Sequence, residues 1–334
     1  MKPIYLFFIL LIAFIQSAYA QTPQIALERP SNNTTQIFTT LQAAYAAAIN
    51  DDVIYLPGGI FGLNGDSIAK KIHIIGAGLN FDSTVVTGKT VIYLGNYLTF
   101  KPTSLGASIE GIEINSINIS GGIINGAQQI NIKNCKMNTL QNGNGNNSII
   151  KNCIIPSGIS GCSNSLVENC IIGNSGYACI TGCSYSTIQN CIFTAPTNGC
   201  DILSGVNNCT FRNNIFPTNC TNSPTSVFQN NLKYNPYTPS GNEYNTILVD
   251  SIPQIFMTNM NTIGIDLSYN YELKPTCPGN NAGTDGTDIG IYGGAFPCPK
   301  GWVPSNPHMY FKQVASQTTP DGKLQIHYKV RKGE

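Results

Sequence analysis

The chain has 334 residues, a formal net charge of +1 and only 10% charged residues. Ordinary soluble domains carry about 25% charged residues; here Asn, Gly, Ser, Thr and Ile are abundant instead. The near-zero net charge gives no electrostatic basis for binding nucleic acid or an anionic membrane, so we expect neither as a partner.

Residues 1–20 have the layout of a signal peptide. Lys2 precedes an apolar run over residues 4–15, and the small residues Ala18 and Ala20 provide a cleavage site. The run is short for an anchor, and no later segment is long and apolar enough to span a bilayer. We therefore expect an exported protein, periplasmic, on the cell surface or extracellular, with its mature chain starting at Gln21.

A short helix is predicted near the start of the mature chain. Leu41, Tyr45 and Ile49 recur at helical spacing, and two strand-like segments with Gly-rich turns follow them. The open end of a stack of strands exposes its core, so we expect this helix to cap the first coil.

The centre of the chain repeats one motif: apolar, polar, Asn, Cys or Asn, any residue, apolar. Its fourth positions are separated by 18, 17, 21 and 23 residues and are Cys135, Cys153, Cys170, Cys191 and Asn214. Steps of this length suit one coil of a parallel β-helix and are too short for helix–strand repeats. A second match, eight residues before three of these cysteines, supports the same register at Ala127, Cys162 and Cys183.

This register predicts the direction of each side chain. Ile150, Cys153 and Ile155 point into the core, Lys151 points outward, and Asn152 lies at a bend with left-handed backbone. Coils stack about 4.8 Å apart. We therefore expect amide-to-amide hydrogen bonds along the row Asn134, Asn152, Asn169, Asn190 and Asn213. Weak ion pairing on a solvated face is expected for the row Lys133, Lys151, Glu168, Gln189 and Arg212.

The twelve cysteines allow two interpretations. An even number in an exported protein suggests disulfides, whereas cysteines at one repeated position suggest stacked, buried thiols. Parallel, in-register side chains are poorly oriented for a disulfide. Reduced thiols are therefore predicted at Cys135, Cys153, Cys162, Cys170, Cys183 and Cys191. Cys277 and Cys298 flank a closing loop outside this row, and they are the best candidates for a disulfide.

Several segments resemble known β-helix proteins. Residues 51–61, 72–78 and 108–114 are similar to the start of right-handed parallel β-helix proteins of the pectin-lyase-like superfamily. Residues 281–297 resemble the closing segment of secreted β-helix proteins of Bacteroidota. The resemblance implies an all-β, right-handed solenoid over residues 21–300. It implies no single activity, because the superfamily includes lyases, hydrolases, isomerases and non-catalytic surface proteins.

Residues 301–334 differ in character from the repeats. Residues 324–330 alternate between apolar and polar side chains as a strand does. The turn at Asp321 and Gly322 allows residues 310–314 to pair with them. We expect a short C-terminal β extension.

Candidate catalytic groups are sparse. Related lyases need a basic residue and acids that hold Ca²⁺, and related hydrolases need paired carboxylates. The best acid–base candidates are Glu168, Asp201 and Arg212, but surface ion pairing is the favoured interpretation of these charges. An alternative site near the N-terminal cap uses Asp66, Lys70, Lys71 and Asp82.

Metal and ligand candidates lie later in the chain. Asp285 and Asp288, with Gly286 between them, resemble a short Ca²⁺ loop, and a self-capped turn is the alternative. We expect no cofactor unless this loop binds Ca²⁺. Tyrosines amid Asn and Thr are candidates for a carbohydrate-binding face, with ordinary surface loops as the alternative, at Tyr177, Tyr185, Tyr234, Tyr237 and Tyr244.

Three functions fit these observations. The first is a monomeric, non-catalytic secreted or cell-surface protein that binds a polysaccharide or cell-surface glycan. The second is a polysaccharide lyase or glycoside hydrolase with a dispersed active site, and the third is a purely structural stalk. We favour a non-catalytic role, because lyase chemistry needs positive groups that converge where charge develops, and the sequence offers only a stripe of them.

Overall fold

The computed structural model describes residues 24–79, 88–116, 123–143, 146–174, 178–194, 201–217, 223–234, 241–299, 302, 308–315 and 317–331. The predicted signal peptide lies outside the described residues, as do Asp82, Tyr177 and Tyr237. Within the described ranges, no helix is long and apolar enough to cross a membrane.

Short strands wind into three sheets, which we call A, B and C in the order in which one coil visits them. Sheet A contains, in spatial order, Thr34–Phe38, Ile25–Arg29, Val53–Tyr55, His73–Ile75, Ser108–Glu110, Asn131–Lys133, Ile149–Lys151, Leu166–Glu168, Thr187–Gln189, Thr210–Arg212, Val227–Gln229 and Asn242–Tyr244. Sheet B has a first part of Gly59–Phe61, Thr90–Leu94 and Glu113–Ser116, and a second part of Ile154–Ile155, Ile171–Ile172, Ile192–Phe193, Ile215–Phe216, Leu232–Lys233 and Ile247–Leu248. Sheet C contains Ser67–Ile68, Leu98–Phe100, Ile123–Asn125, Leu140–Gln141, Ile159–Ser160, Ile180–Thr181 and Leu203–Ser204.

Neighbouring coils pair in parallel and in register in all three sheets. The exceptions are two antiparallel pairs that Ile25–Arg29 makes with its neighbours at the N-terminal edge of sheet A. The predicted all-β parallel β-helix is confirmed.

Alternation along each strand builds the core. Residues such as Ile150, Val167 and Ile188 are fully or almost fully buried at successive levels of sheet A. In the last coils phenyl rings take over this stacking, with centroids 4.9 Å apart for Phe211 and Phe228 and 4.8 Å apart for Phe193 and Phe216. Identical side chains therefore meet at the spacing of the strands, about 4.8 Å.

The six cysteines predicted to be reduced are buried, free thiols. Burial raises the pKa of Cys135 to about 12, because a thiolate would lose its hydration in the core. Cys179 and Cys209, which the motif did not single out, are also buried and free.

The repeated asparagine occupies the corner between sheets A and B. Its backbone is left-handed in each predicted coil, with φ of 49° at Asn134, 53° at Asn152 and at Asn169, 54° at Asn190 and 57° at Asn213. Asn accepts this conformation at low cost, so the predicted bend is confirmed.

The predicted amide-to-amide bonds along this row are not what the structure shows. The amide of Asn169 donates instead to the carbonyls of Ile291 and Gly293, at 2.8 and 2.9 Å. The amide of Asn213 donates to the hydroxyl of Thr284 and its oxygen accepts from the Thr284 backbone N–H. Asn169, Asn190 and Asn213 thus bind a distant segment, whereas Asn134, earlier in the row, donates to Glu110 at 3.2 Å.

That distant segment, residues 252–299, lies over the outer face of the second part of sheet B. Ile154, Ile171 and Ile192 belong to this outer face, yet they are buried together with Phe256 and Ile291 of the covering segment. Opposite them, the inner face of sheet B contributes to the main core. We call residues 252–299 the closing segment.

The predicted disulfide between Cys277 and Cys298 is not formed, and both residues are buried free thiols. Cys277 lies by Gly279, which packs against Leu232. Cys298 lies within electrostatic range of Cys170 and Lys151, several coils closer to the N-terminus. The closing segment runs along the solenoid between the two positions, so it holds their thiols apart.

The N-terminal cap contains more than the predicted helix. The helix spans Leu41–Ala47, and the Thr40 side chain caps it by accepting from the Ala43 N–H at 3.2 Å. Before it, Ile25–Arg29 and Thr34–Phe38 form an antiparallel pair that extends sheet A. Among the described residues, short 3₁₀ helices occur at Asn64–Asp66, Pro102–Ser104 and Ile252–Gln254.

The C-terminal residues form an antiparallel pair of strands, His308–Val314 and Ile326–Arg331. They overlap the two predicted segments, residues 310–314 and 324–330, and the second strand begins two residues later than the alternation predicted. Ile326, Tyr328 and Val330 are at least half exposed.

Candidate functional site

The three outer faces of the solenoid differ in chemistry. The closing segment covers the second part of sheet B. The first part of sheet B remains open, with Ile60 73% and Tyr93 42% exposed, but sheets A and C offer longer continuous outer faces. The charged candidates from the sequence lie mainly on sheet A.

On sheet A, Lys151, Glu168, Gln189 and Arg212 form one hydrogen-bonded chain across four coils. Lys151 pairs with Glu168 at 2.9 Å, Gln189 donates to Glu168 at 2.6 Å, and Arg212 donates to Gln189 at 2.7 Å. Both polar atoms of the Gln189 amide are therefore used, and Glu168 is linked to Arg212 only through it. Asp201 does not join them, since it lies just before the sheet C strand Leu203–Ser204. This chain of contacts fits structural pairing rather than an acid and a base poised on a substrate.

A second carboxylate is neutralised where the two parts of sheet B meet. Glu113 accepts from Lys89 at 2.6 Å and from Lys136 at 3.3 Å. Burial raises the pKa of Glu113, but the two ammonium groups outweigh burial and leave it below its ordinary value. Glu113 is therefore ionised and paired, which is unsuitable for a general acid.

The alternative N-terminal site is also made of structural contacts. Lys70 donates to the carbonyls of Tyr45 and Ala48 at 2.8 and 2.7 Å, which caps the end of the helix. Lys71 pairs with Asp51 at 2.7 Å. Asp66 accepts from the backbone N–H groups of residues 95 and 96.

The candidate Ca²⁺ loop is a self-capped turn. Asp285 accepts from the Thr287 N–H at 3.1 Å and from its hydroxyl at 2.7 Å, and Asp288 accepts from the Asn281 N–H at 2.9 Å. Burial raises the pKa of Asp285, whereas the hydrogen bonds from Thr287 lower it. The lowering is the larger effect, so the pKa lies below its ordinary value. Within the described residues, no three His, Cys, Asp or Glu side chains are placed to hold a metal ion. This donor set does not fit a Ca²⁺ site.

Sheet C presents an uncharged outer face. The outward side chains of its seven strands lie in one register and are exposed or half-buried. We call this the sheet C row: Ser67, Thr99, Ile124, Gln141, Ser160, Thr181 and Ser204. A second line of polar groups follows at the edge of the sheet, where the hydroxyls of Ser163 and Ser184 lie 3.1 Å apart. Asn207 continues this line in the next coil.

The described tyrosine candidates lie on different parts of the molecule. Tyr185 is 66% exposed and stands at the corner between sheets C and A. Tyr244 is 54% exposed on the last strand of sheet A, and Tyr234 is 38% exposed just after a strand of sheet B. The structure therefore does not place them on one common face. Of the three, Tyr185 lies beside the sheet C row.

Sequence reasoning missed the sheet C row. Its signal is a short pattern in which an apolar and a polar residue precede a glycine, as in Ile159-Ser160-Gly161 and Ile180-Thr181-Gly182. In the sequence these glycines indicate the register of the cysteines, but nothing in the repeat marks the outward residue before each glycine as a binding residue.

Comparison with family models finds no match, and comparison with curated proteins finds none. Among solved structures, the chain is similar to the crystal structure of pectate lyase Pel9A, with 14% identity and a TM-score of 0.47. The similarity covers 81% of this chain and 94% of that one.

Proposed function

We propose that this protein is an exported, non-catalytic β-helix protein that binds an uncharged glycan along the sheet C row. The observation that supports the proposal most directly is the absence of any ionisable group from the row's seven outward side chains. The signal-peptide layout of residues 1–20 supports export.

The chemistry of the row suits sugar hydroxyl groups. Ser and Thr hydroxyls and the Gln amide each donate and accept hydrogen bonds, as sugar hydroxyls do. Binding sites for small molecules combine such polar groups with apolar or aromatic surface. An acidic polysaccharide would find no cation in the row to balance its carboxylates.

A lyase or hydrolase is the less favoured alternative. Proton abstraction beside a carboxylate requires a base and positive groups that converge on the developing charge. The acids nearest to this description, Glu113 and Glu168, are held by lysines at 2.6 and 2.9 Å.

The test uses the purified mature protein with cellohexaose, xylohexaose, mannohexaose and laminarihexaose, and with polygalacturonate as the charged comparator. We expect binding of at least one neutral oligosaccharide and no release of unsaturated products from polygalacturonate, with or without Ca²⁺. Unsaturated products that disappear in Arg212→Ala or Lys151→Ala would instead establish a lyase.

A matched pair of variants locates the site. Thr181 and Thr187 face outward in the same coil, one on sheet C and the other on sheet A. We expect Thr181→Arg to abolish glycan binding by isothermal titration calorimetry, because its bulk and charge interrupt the row. Thr187→Arg should leave binding unchanged. Equal effects of the two changes would exclude the sheet C row as the site.

A further inference from the structure

The solenoid has a second row of left-handed corners, between sheets C and A. Successive coils place there Gln129 (φ 59°), Asn147 (58°), Asn164 (48°), Tyr185 (51°) and Asn208 (53°). Backbone hydrogen bonds hold the corner in place, from the Asn164 N–H to Ser184 at 3.1 Å and from the Tyr185 N–H to Asn207 at 3.2 Å. The conformation is thus imposed by the stack of coils and not by the residue that occupies it.

Tyr185 does not suit the conformation of its own backbone. Asn tolerates the left-handed region, whereas a bulky side chain with positive φ is an outlier that costs stability. Four of the five corners in this row use an amide side chain, and Tyr185 alone uses an aromatic one.

Packing does not explain the tyrosine. A tyrosine kept for stability would bury its ring, which is its main contribution to a fold. The side chain of Tyr185 is 66% exposed. A strained and exposed aromatic residue therefore lowers stability at the corner without a compensating contact in the core, which points to a role in function.

The position of Tyr185 indicates that role. It directly follows Ser184, whose hydroxyl lies in the polar line at the edge of sheet C, and it comes four residues after Thr181 of the sheet C row. An aromatic ring offers a flat apolar surface beside groups that form hydrogen bonds. The C–H face of a neutral sugar ring matches such a surface, while its hydroxyls match Thr181 and Ser184.

We infer that Tyr185 is the aromatic binding residue of the site, and that it packs against one ring of an uncharged hexose or pentose chain. This inference rests on the proposed function of the sheet C row. It adds that Tyr185 lowers the stability of the corner and is present there because its ring contacts the ligand.

The test compares Tyr185→Asn with the matched control Tyr244→Asn. Tyr244 is also well exposed, but it lies on the last strand of sheet A. Tyr185→Asn restores the residue type of the neighbouring corners, so it should fold and raise Tm by about 2 °C. Its Kd for the neutral hexasaccharide that wild type binds best should rise at least about tenfold, which corresponds to about 1.4 kcal/mol. Tyr244→Asn should neither raise Tm nor increase the Kd for that hexasaccharide.

The outcomes separate the two proposals. Weaker binding together with higher Tm in Tyr185→Asn supports the inference, and Tyr185→Phe should then retain binding because it keeps the ring. Unchanged binding in Tyr185→Asn overturns the inference and leaves the proposed function standing. No binding of any of the four neutral hexasaccharides by wild type overturns both.

Discussion

At the residue scale, the two rows of left-handed corners show how one backbone conformation serves two purposes. In the row between sheets A and B, Asn169, Asn190 and Asn213 combine low conformational cost with hydrogen bonds to the closing segment. In the row between sheets C and A, asparagines satisfy the backbone, and Tyr185 departs from this rule. The type of residue at a corner therefore depends on what contacts that corner from outside, which is the closing segment in the first row and the proposed glycan at Tyr185.

Asn213 allows these two contributions to be measured separately. Asn213→Gly keeps the left-handed backbone but loses both bonds to Thr284, so we expect a destabilisation of about 1–3 kcal/mol. Asn213→Ala should cost about 1 kcal/mol more, because Ala also disfavours positive φ. Urea unfolding of both variants measures the difference.

Asn164 provides the control for this experiment, since it has a φ of 48° and is exposed. Asn164→Gly should be nearly neutral, and Asn164→Ala should show only the backbone cost. If Asn213→Gly is also neutral, the bonds to the closing segment do not stabilise the fold.

At the element scale, Glu113 joins the two parts of sheet B. It forms a parallel bridge with Lys136, which in turn forms a bridge with Ile154 of the second part. Its carboxylate binds the ammonium groups of Lys89 and Lys136. The junction thus depends on an ionised carboxylate where the neighbouring coils rely on apolar contacts.

This dependence predicts a pH effect on stability. Because the folded-state pKa of Glu113 lies below the ordinary value of 4.5, its contribution is fully present above that pH and is lost as pH falls through the folded pKa. We expect Glu113→Gln to lower Tm by about 3 °C at pH 7, and the gap from wild type to narrow towards pH 3.

Thermal unfolding at several pH values measures the effect of Glu113, with Asp250→Asn as the control because Asp250 is an exposed carboxylate. A gap between wild type and Glu113→Gln that stays constant with pH would contradict the assignment.

At the scale of the whole molecule, the two ends of the solenoid are closed by different means. The N-terminal end has a helix and an antiparallel strand pair. At the other end, the inward positions after Phe216 and Phe228 are occupied by Lys233 and Glu243. These two side chains form an ion pair of 2.7 Å, with Lys233 only 6% exposed. The stack of phenyl rings therefore ends at a pair of charged side chains. These charges make it unfavourable for a second copy of the chain to stack on this end of the solenoid.

Removing this charge should allow end-to-end association. In the double variant Lys233→Met with Glu243→Leu, the last coil would expose an apolar surface and open strand edges. We expect concentration-dependent dimers by size-exclusion chromatography with light scattering, while wild type stays monomeric. A double variant that remains monomeric at all concentrations would show that the ion pair does not control association.

The sequence by itself determined the coil. The spacing of Cys135, Cys153 and Cys170 predicted the register, the buried thiols and the left-handed asparagines, because each coil repeats the same local requirements and each repeat is visible in the sequence. The charged row was also predicted, although its continuous hydrogen bonding through Gln189 was not.

Only the tertiary structure decided where the closing segment lies and which face stays open. The amide of Asn169 binds Ile291, 122 residues away, and no local pattern encodes a partner at that separation. Other parts of the closing segment bind the amides of Asn190 and Asn213, and its course along the solenoid places Cys277 and Cys298 at different coils. The closing segment covers the second part of sheet B and leaves the uncharged row of sheet C open beside Tyr185. The coil follows from local periodicity, whereas the candidate site follows from which long-range contact covers which face.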